Sequence, residues 1–347
     1  MSISDPHDFF IQYHLTERCN LRCKHCYQTG GSASEMSLPE IRQVVAEVSD
    51  MVEDWAQTYD MVFSPSFNVT GGEPFLRQDI FEILEEIGRR GFAMYLLSNG
   101  TLVTSDKARR LGELGVKGVQ VSIEGPEMIH EAVRGKGSYS SALKGVQHLL
   151  DAGLTVTLNA TLSEMNAEYF MNLVDLASAL GVQRLGFSRL VPSGKGRELL
   201  HRMLKAERVR ELYEAIRSLK TYELKIVTGD PVASQMDSEI NEPWGSFPTG
   251  GCAAGLSGLT LLPDGTITPC RRLPIPIGNI RRDSLREVWS TSEVLGALRD
   301  KKRYTGKCGR CKRWDACRGC RAIAYASSQS RGEHDYLAED PQCFIEE

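Results

Sequence analysis

The most restrictive feature of this sequence is a group of three cysteines near its N-terminus. Cys19, Cys23 and Cys26 follow the apolar run FFIQYHL (9–15) at a C-x3-C-x2-C spacing. A structural zinc site takes four protein ligands, and a disulfide framework uses cysteines in pairs. Three thiolates in one short loop therefore predict a metal centre with one coordination place that the loop leaves open.

The remaining cysteines lie far from this loop. The chain has ten cysteines in 347 residues, none between Cys26 and Cys252, and seven from Cys252 onward. The N-terminus is polar and carries no signal peptide, and no apolar run approaches the roughly 18 residues of a membrane span. We therefore expect a cytoplasmic protein without a membrane partner, whose clustered cysteines bind metal. Their segregation predicts two metal-binding regions, and a net charge of −4 argues against nucleic acid as a partner.

Between the two cysteine groups, short apolar strands alternate with amphipathic helices. Ser37 and Glu40 form a predicted capping box at the start of the first helix. The predicted strands are 9–15, 66–70, 92–98, 118–123, 154–162 and 182–190, and the later predicted helices are 80–91, 105–115, 141–153 and 168–181. This alternation predicts parallel βα units. Six units cannot close an eight-stranded barrel, so a partial, open barrel or an open doubly wound sheet remains.

Polar segments follow five of these strands. They are the cysteine loop, TGGEP (70–74), SNGT (98–101), SIEGP (122–126) and LVPSGKG (190–196). Ligands of both candidate folds bind at the carboxyl ends of the strands, so we expect one site there.

The three-cysteine loop after strand one and GGEP after strand two together resemble the radical S-adenosylmethionine (radical SAM) superfamily. The resemblance implies an α/β fold, a partial (β/α)6 barrel. It also implies a [4Fe–4S] cluster held by three cysteines, whose open iron chelates S-adenosylmethionine (SAM). In that family the cluster cleaves SAM to a 5'-deoxyadenosyl radical.

The same resemblance assigns residues to SAM. Glu73 would accept from the SAM ammonium, Arg134 would pair with its carboxylate, Ser122 would meet the ribose, and Tyr27 and the Leu190 backbone would lie near the adenine. The complete predicted set is Tyr27, Gly71, Gly72, Glu73, Pro74, Ser98, Asn99, Ser122, Arg134 and Leu190.

The C-terminal cysteines resemble a SPASM domain, the extension of some radical SAM enzymes that binds auxiliary clusters. LTLLPDGTITPC (259–270) predicts a hairpin whose two-residue turn is Asp264-Gly265. The resemblance assigns an outer cluster to Cys308, Cys311, Cys317 and Cys343, and an inner cluster to Cys252, Cys270 and Cys320. Cys317 and Cys320 are separated by two residues, where the usual pattern has three. The implied domains are a radical SAM core (1–200), a helical bridge (201–245) and a SPASM domain (246–347), with three [4Fe–4S] clusters in all.

Other interpretations of these motifs remain open. The C-x2-C pairs also suit zinc, with a histidine such as His334 as an eighth ligand for two sites. SGKGRE (193–198) lacks the full pattern of a phosphate-binding loop. A different class would be an iron–sulfur electron-transfer or scaffold protein, against which intact GGEP and Arg134 argue.

The leading functional expectation is a peptide maturase that forms a thioether, a carbon–carbon crosslink or a similar modification. Only 18 residues precede Cys19, so leader recognition would need a separate leader-binding protein or another surface. The alternative substrate is a tetrapyrrole of a specialised haem pathway, which the tail CRGCRAIAYA…YLAEDPQC resembles. A sulfatase-type maturase would carry an acidic residue after Cys270, where Arg271 and Arg272 stand; these two could pair with substrate carboxylates or form a solvated basic turn. Flavodoxin or ferredoxin would supply the electron.

Overall fold

One ten-stranded sheet organises the chain in the computed structural model, which describes residues 7–30, 34–221, 223–236 and 251–345. The strands are β1 (His7–His14), β2 (Phe63–Thr70), β3 (Ala93–Ser98), β4 (Gly118–Ser122), β5 (Val156–Leu162), β6 (Arg184–Arg189), β7 (Lys225–Thr228), β8 (Gly258–Leu261), β9 (Thr266–Thr268) and β10 (Gly278–Asn279). Their order in the sheet is β10-β9-β8-β1-β2-β3-β4-β5-β6-β7.

In the described ranges seven helices lie between the strands and four follow the last strand. They are α1 (Leu38–Tyr59), α2 (Ile80–Arg89), α3 (Ser105–Glu113), α4 (Glu127–Arg134), α5 (Ser138–Asp151), α6 (Phe170–Leu180), α7 (Ala206–Ser218), α8 (Leu285–Thr291), α9 (Glu293–Arg299), α10 (Gly306–Arg310) and α11 (Arg321–Ser330). None of the helices in the described ranges is both long and apolar enough to cross a bilayer.

The alternation left a partial barrel and a doubly wound sheet open, and the partial barrel that the resemblance implied is confirmed. Strands β1 to β7 pair in parallel in chain order, and β8 adds in parallel to the free side of β1. The two ends of the sheet, β7 and β10, do not pair with each other in the described part of the chain, so the barrel stays open. All strand ends from β1 to β6 that carry the polar segments therefore share one rim.

Local sequence signals explain the first helix well. The Ser37 side chain accepts from the backbone of Glu40 and the Glu40 carboxylate accepts from the backbone of Ser37, which confirms the capping box. Its apolar stripe packs into the core through Ile41, Val44, Val45, Val48, Met51, Val52 and Trp55. Such a cap contributes about 1 kcal/mol, and the buried stripe contributes the larger part of the stability of α1.

Three features differ from the sequence prediction. Helix α4 was not predicted, because EMIHEAVR is short and its apolar face is narrow. The segment predicted as a helical bridge also contains β7, whose four residues are too few to show alternation, and which pairs with β6. The predicted two-residue turn Asp264-Gly265 is wrong, because Leu262 N donates to Thr266 O and the turn between this pair has the three residues 263–265, with Gly265 in the left-handed conformation.

A buried ion-pair network joins the barrel to the C-terminal region. Arg189, at the end of β6, is 1% exposed and binds Asp230 and Asp340 through both of their carboxylate oxygens. Asp340 in turn accepts from the backbone N–H of Cys320 at 2.8 Å. The position of Cys320, which the resemblance assigns to the inner cluster, is thus tied to the rim of the barrel.

Candidate active site

The cysteine loop after β1 lines a cavity of about 370 Å³ at the carboxyl rim of the barrel. Backbone and side-chain N–H groups approach the sulfurs: Leu21 N lies 3.4 Å from Cys19 Sγ, and Arg134 Nη1 lies 3.8 Å from Cys23 Sγ. Asn99 Nδ2 lies 3.9 Å from Cys19 Sγ. N–H donors directed at sulfur are the surroundings that thiolate ligands of an iron–sulfur cluster have, so the donor set fits a cluster held by this loop.

The GGEP segment is hydrogen-bonded to the cysteine loop. Gly72 N donates to Thr16 O at 2.7 Å, and Glu73 N donates to Arg18 O at 2.8 Å. A β-carbon on Gly72 would lie 2.3 Å from the carbonyl oxygen of Arg18. The glycine therefore permits a close approach of two backbone segments, and that approach fixes the loop against the end of β2.

Glu73 is 0% exposed and its carboxylate is occupied by protein donors. Ser98 Oγ donates to both carboxylate oxygens at 2.9 and 3.0 Å, and Asn99 N donates at 2.9 Å. Burial raises the pKa of Glu73, and the N–H of Asn99 and the hydroxyl of Ser98 partly offset this rise. The Glu73 side chain thus links GGEP to the end of β3 by hydrogen bonds and does not line the cavity.

Glu124 is a buried hub that the sequence analysis missed. It is 0% exposed and accepts from His25 Nε2 at 2.9 Å and from Arg134 Nε and Nη2 at 2.9 and 2.5 Å. Thr161 N donates to its other oxygen at 2.9 Å. Burial alone would raise the pKa of Glu124, but Arg134 and His25 outweigh it and hold the pKa well below the usual range. An acidic residue directly after an apolar strand was the available signal.

Seven of the ten predicted SAM-binding residues line the cavity. They are Tyr27, Gly71, Gly72, Ser98, Asn99, Ser122 and Arg134. Glu73, Pro74 and Leu190 do not line it; all three are buried behind the rim, although the neighbours Ser188 and Val191 of Leu190 do face the cavity.

Polar residues inside the barrel complete the cavity, and of the four named here only Ser122 was predicted. Gln120 and Ser122 alternate on β4, and Asn159 and Thr161 alternate on β5. Fully buried apolar residues lie between these polar ones. Along β5, buried and half-buried residues alternate strictly. A period of two with polar residues on one face could have identified them as an interior polar wall.

The SGKG segment after β6 packs on the cysteine loop. Gly196 N donates to Cys26 O at 2.9 Å, and a β-carbon on Gly194 would lie 2.2 Å from the carbonyl oxygen of Tyr27. The glycines that suggested a phosphate loop therefore serve close packing.

Burial raises the pKa of Tyr27 to about 12, so its phenol stays neutral at the side of the cavity.

The structure places the four predicted outer-cluster cysteines around one cavity of about 550 Å³. These are Cys308, Cys311, Cys317 and Cys343. Gln235 Nε2 approaches two of the sulfurs, at 3.6 Å from Cys317 and 3.4 Å from Cys343. Arg321, 1% exposed, directs Nη2 at Cys308 Sγ from 3.5 Å. The amide of Gln235 and the guanidinium of Arg321 thus direct N–H groups at three of the four sulfurs. This donor set again fits a cluster.

The three predicted inner-cluster cysteines lie around a different cavity of about 690 Å³, inside the barrel. Cys252, Cys270 and Cys320 line its wall together with polar side chains of the strands. Burial raises the pKa of Cys320 to about 12. Arg272 offsets this rise in part, and the irons of a bound cluster would supply the further positive charge that a thiolate needs here.

Comparison with known proteins agrees with this geometry. The family model described as radical SAM superfamily matches residues 13–177, and the SPASM model, described as an iron-sulfur cluster-binding domain, matches residues 252–321.

An AdoMet-dependent heme synthase of Methanosarcina barkeri is 31% identical over 96% of this chain and 95% of its own length. A mycofactocin maturase of Mycolicibacterium smegmatis is 29% identical over 91% of this chain and 78% of its own length. The crystal structure of Streptococcus suis SuiB bound to S-adenosylmethionine superposes with a TM-score of 0.75 at 17% identity, over 98% of this chain and 78% of that one.

Proposed function

Because the chain belongs to the radical SAM superfamily and carries a SPASM domain, it is an iron–sulfur enzyme that binds SAM, and we propose that it cleaves SAM to a 5'-deoxyadenosyl radical that abstracts hydrogen from its substrate. The single observation that carries this proposal is the rim cavity. There three cysteines, the two glycines of GGEP and a largely buried, ion-paired arginine converge on one space.

We assign the catalytic cluster to Cys19, Cys23 and Cys26. A reduced [4Fe–4S] cluster at these residues would supply the electron that cleaves the SAM sulfonium, and flavodoxin or ferredoxin would reduce it. Arg134 would bind the SAM carboxylate, because its guanidinium lines the cavity while Glu124 fixes Nε and Nη2. Ser122 and Asn99 would present polar atoms to SAM from neighbouring strand ends.

We assign two further [4Fe–4S] clusters to the C-terminal cysteines. The outer cluster would use the four thiols of the 550 Å³ cavity, and the inner cluster the three thiols of the barrel cavity. A buried network through Asp340 and Arg189 holds the inner site at the barrel rim. A fixed distance between the clusters suits the task that we propose for them. They would carry away the electron that remains on the substrate after hydrogen abstraction.

We propose a tetrapyrrole as the substrate. The supporting observation is the 31% identical relative named AdoMet-dependent heme synthase, which aligns over nearly the full length of both chains. The barrel cavity supports the same proposal, because its 690 Å³ lies within the roughly 300–1,000 Å³ of small-molecule sites.

A peptide is the second candidate, and a separate observation favours it. The inner site has three cysteines, so one iron of a cluster there would be free to bind a substrate thiol. The 29% identical relative named as a maturase is consistent with this chemistry. A peptide substrate would bring in a separate leader-binding protein as a further proposed partner.

Measurement of 5'-deoxyadenosine tests the proposal. The reconstituted, dithionite-reduced protein is incubated with SAM without oxygen, and the product is quantified by mass spectrometry. We expect Cys23→Ala to abolish 5'-deoxyadenosine, whereas Cys311→Ala should retain it while losing about four of roughly twelve irons per chain, as three [4Fe–4S] clusters require. Absence of product from the wild-type protein would refute SAM cleavage, and an iron content near eight would refute the third cluster.

Cys320→Ala separates the inner site from the catalytic one. We expect altered electron paramagnetic resonance of the inner cluster with an unchanged catalytic signal. Unchanged spectra and unchanged iron would show that the inner ligands are assigned wrongly.

A further inference from the structure

Two adjacent arginines inside the barrel have no acidic partner in the described ranges. Arg271 Nη1 donates to Gln12 Oε1 at 2.9 Å, and Arg272 Nη1 lies 3.5 Å from Ser188 Oγ. Arg272 Nε is buried and has no hydrogen-bond partner among the described atoms. Arg134 and Arg189, by contrast, each bind carboxylates.

The backbone holds this pair in a defined place. Leu273 N donates to Cys270 O at 2.9 Å, so Arg271 and Arg272 are the two central residues of a tight turn. Leu273 is 0% exposed and packs with Val191 and other buried residues. The turn is therefore anchored at both ends, and its two side chains extend into the barrel.

The pair stands where the two cavities meet. Both the rim cavity and the barrel cavity are lined by Gln120, Asn159, Ser188, Arg271 and Arg272. A substrate that reaches from the inner cysteines toward SAM must pass these two guanidiniums.

We propose that Arg271 and Arg272 form the carboxylate-binding subsite for a tetrapyrrole substrate, a proposal that rests on the proposed function. Partial burial of cations without a carboxylate partner is unfavourable, and a substrate carboxylate offsets this cost when it arrives. Guanidinium groups bind carboxylates through paired, charge-assisted hydrogen bonds, and Arg272 Nε is a free donor for one of them. Tetrapyrroles of the haem type carry such carboxylates on flexible side chains.

Direct binding tests the subsite without turnover. The probes are coproporphyrin III, which has four carboxylates, and its tetramethyl ester, which has none; both are titrated into reconstituted protein with SAM under anaerobic conditions and followed by fluorescence. We expect the acid to bind at least tenfold more tightly than the ester. Arg271→Gln and Arg272→Gln should each weaken binding of the acid by tenfold or more and leave ester binding unchanged. Arg282→Gln is the matched control, because its side chain is 76% exposed on the same C-terminal region.

The outcomes separate this subsite from the proposed chemistry. Equal binding of acid and ester, absence of acid binding, or unchanged acid binding in Arg272→Gln would overturn the subsite. If the variants instead shift only the spectrum of the inner cluster, the pair compensates cluster charge and the subsite is also refuted. Formation of 5'-deoxyadenosine by the wild type is measured in parallel, so failure of SAM cleavage is recognised independently of porphyrin binding.

Discussion

Removing Arg189 tests whether the buried ion-pair network holds the C-terminal region on the barrel. Its guanidinium donates to Asp230 at 2.7 and 2.8 Å, to Asp340 at 2.8 and 3.0 Å, and to Gln342 at 2.9 Å. Arg189→Met keeps the volume and leaves two buried carboxylates without their cation. Breaking a buried pair from one side costs about 3–5 kcal/mol, and we expect that loss of unfolding free energy here.

The loss should depend on pH. In the wild type, burial would raise the pKa of Asp340, but Arg189 outweighs it and holds that pKa below the usual range. This contribution is present above the unfolded pKa of about 3.9 and is lost as the pH falls below it. In the variant, which lacks the Arg189 cation, the pKa of Asp340 in the folded state should be raised. The variant therefore loses unfolding free energy as the pH rises and this buried carboxyl must ionise. The difference in unfolding free energy between wild type and variant should therefore grow from pH 5 to pH 8.

Anaerobic thermal unfolding of the reconstituted proteins measures both effects. We expect Tm to fall by on the order of 10 °C at pH 8 and by less at pH 5. Arg208→Met is the matched control, because that side chain is 50% exposed on α7 and should change stability by less than about 0.5 kcal/mol. A loss below about 1 kcal/mol for Arg189→Met, or a loss that is the same at both pH values, would refute the reasoning.

Three other substitutions test the site and the cap. Gly72→Ala should abolish SAM cleavage and iron retention at the catalytic site, since its β-carbon would lie 2.3 Å from a backbone oxygen. Gly296→Ala is the control, because open space surrounds this glycine, and it should keep full activity. Comparable activity in both variants would contradict the packing argument. Glu124→Gln should raise the KM for SAM by about tenfold at constant iron content, and an unchanged KM would show that the hub does not position the SAM-binding arginine. Glu40→Gln should cost up to about 1 kcal/mol of unfolding free energy at pH 7, because hydrogen bonds from Arg281 and from the helix cap lower the pKa of Glu40 to about 2. In urea unfolding the loss should shrink as the pH falls from about 4 toward that value, and an undiminished loss at pH 3 would contradict the argument.

Sequence patterns predicted the parts of this fold that depend on neighbouring residues. The Ser37–Glu40 capping box and the seven buried residues of α1 are local, and they appear as predicted. The rim position of the cysteine loop and of GGEP followed from strand alternation alone, because parallel strands end at one edge.

Contacts between distant segments could not be predicted. Arg189 and Asp340 are 151 positions apart, and no sequence pattern links the two. The motif residue Glu73 was recognised, but its side chain points at Ser98 and Asn99, a contact set by the packing of β3 on GGEP. Glu124 was missed for the same reason, since its role exists only where the cysteine loop, α4 and β5 meet.

The pairing of β1 sets an order of events during synthesis. One side of β1 pairs with β2, which follows soon after it, whereas the other side pairs with β8 at Gly258–Leu261. At roughly 5–20 residues per second, β8 leaves the ribosome on the order of 10–50 s later. During that interval the nascent chain presents an unpaired strand edge next to the cysteine loop. The edge of β1 in the half-made barrel therefore stays exposed to solvent and to other chains until β8 pairs with it.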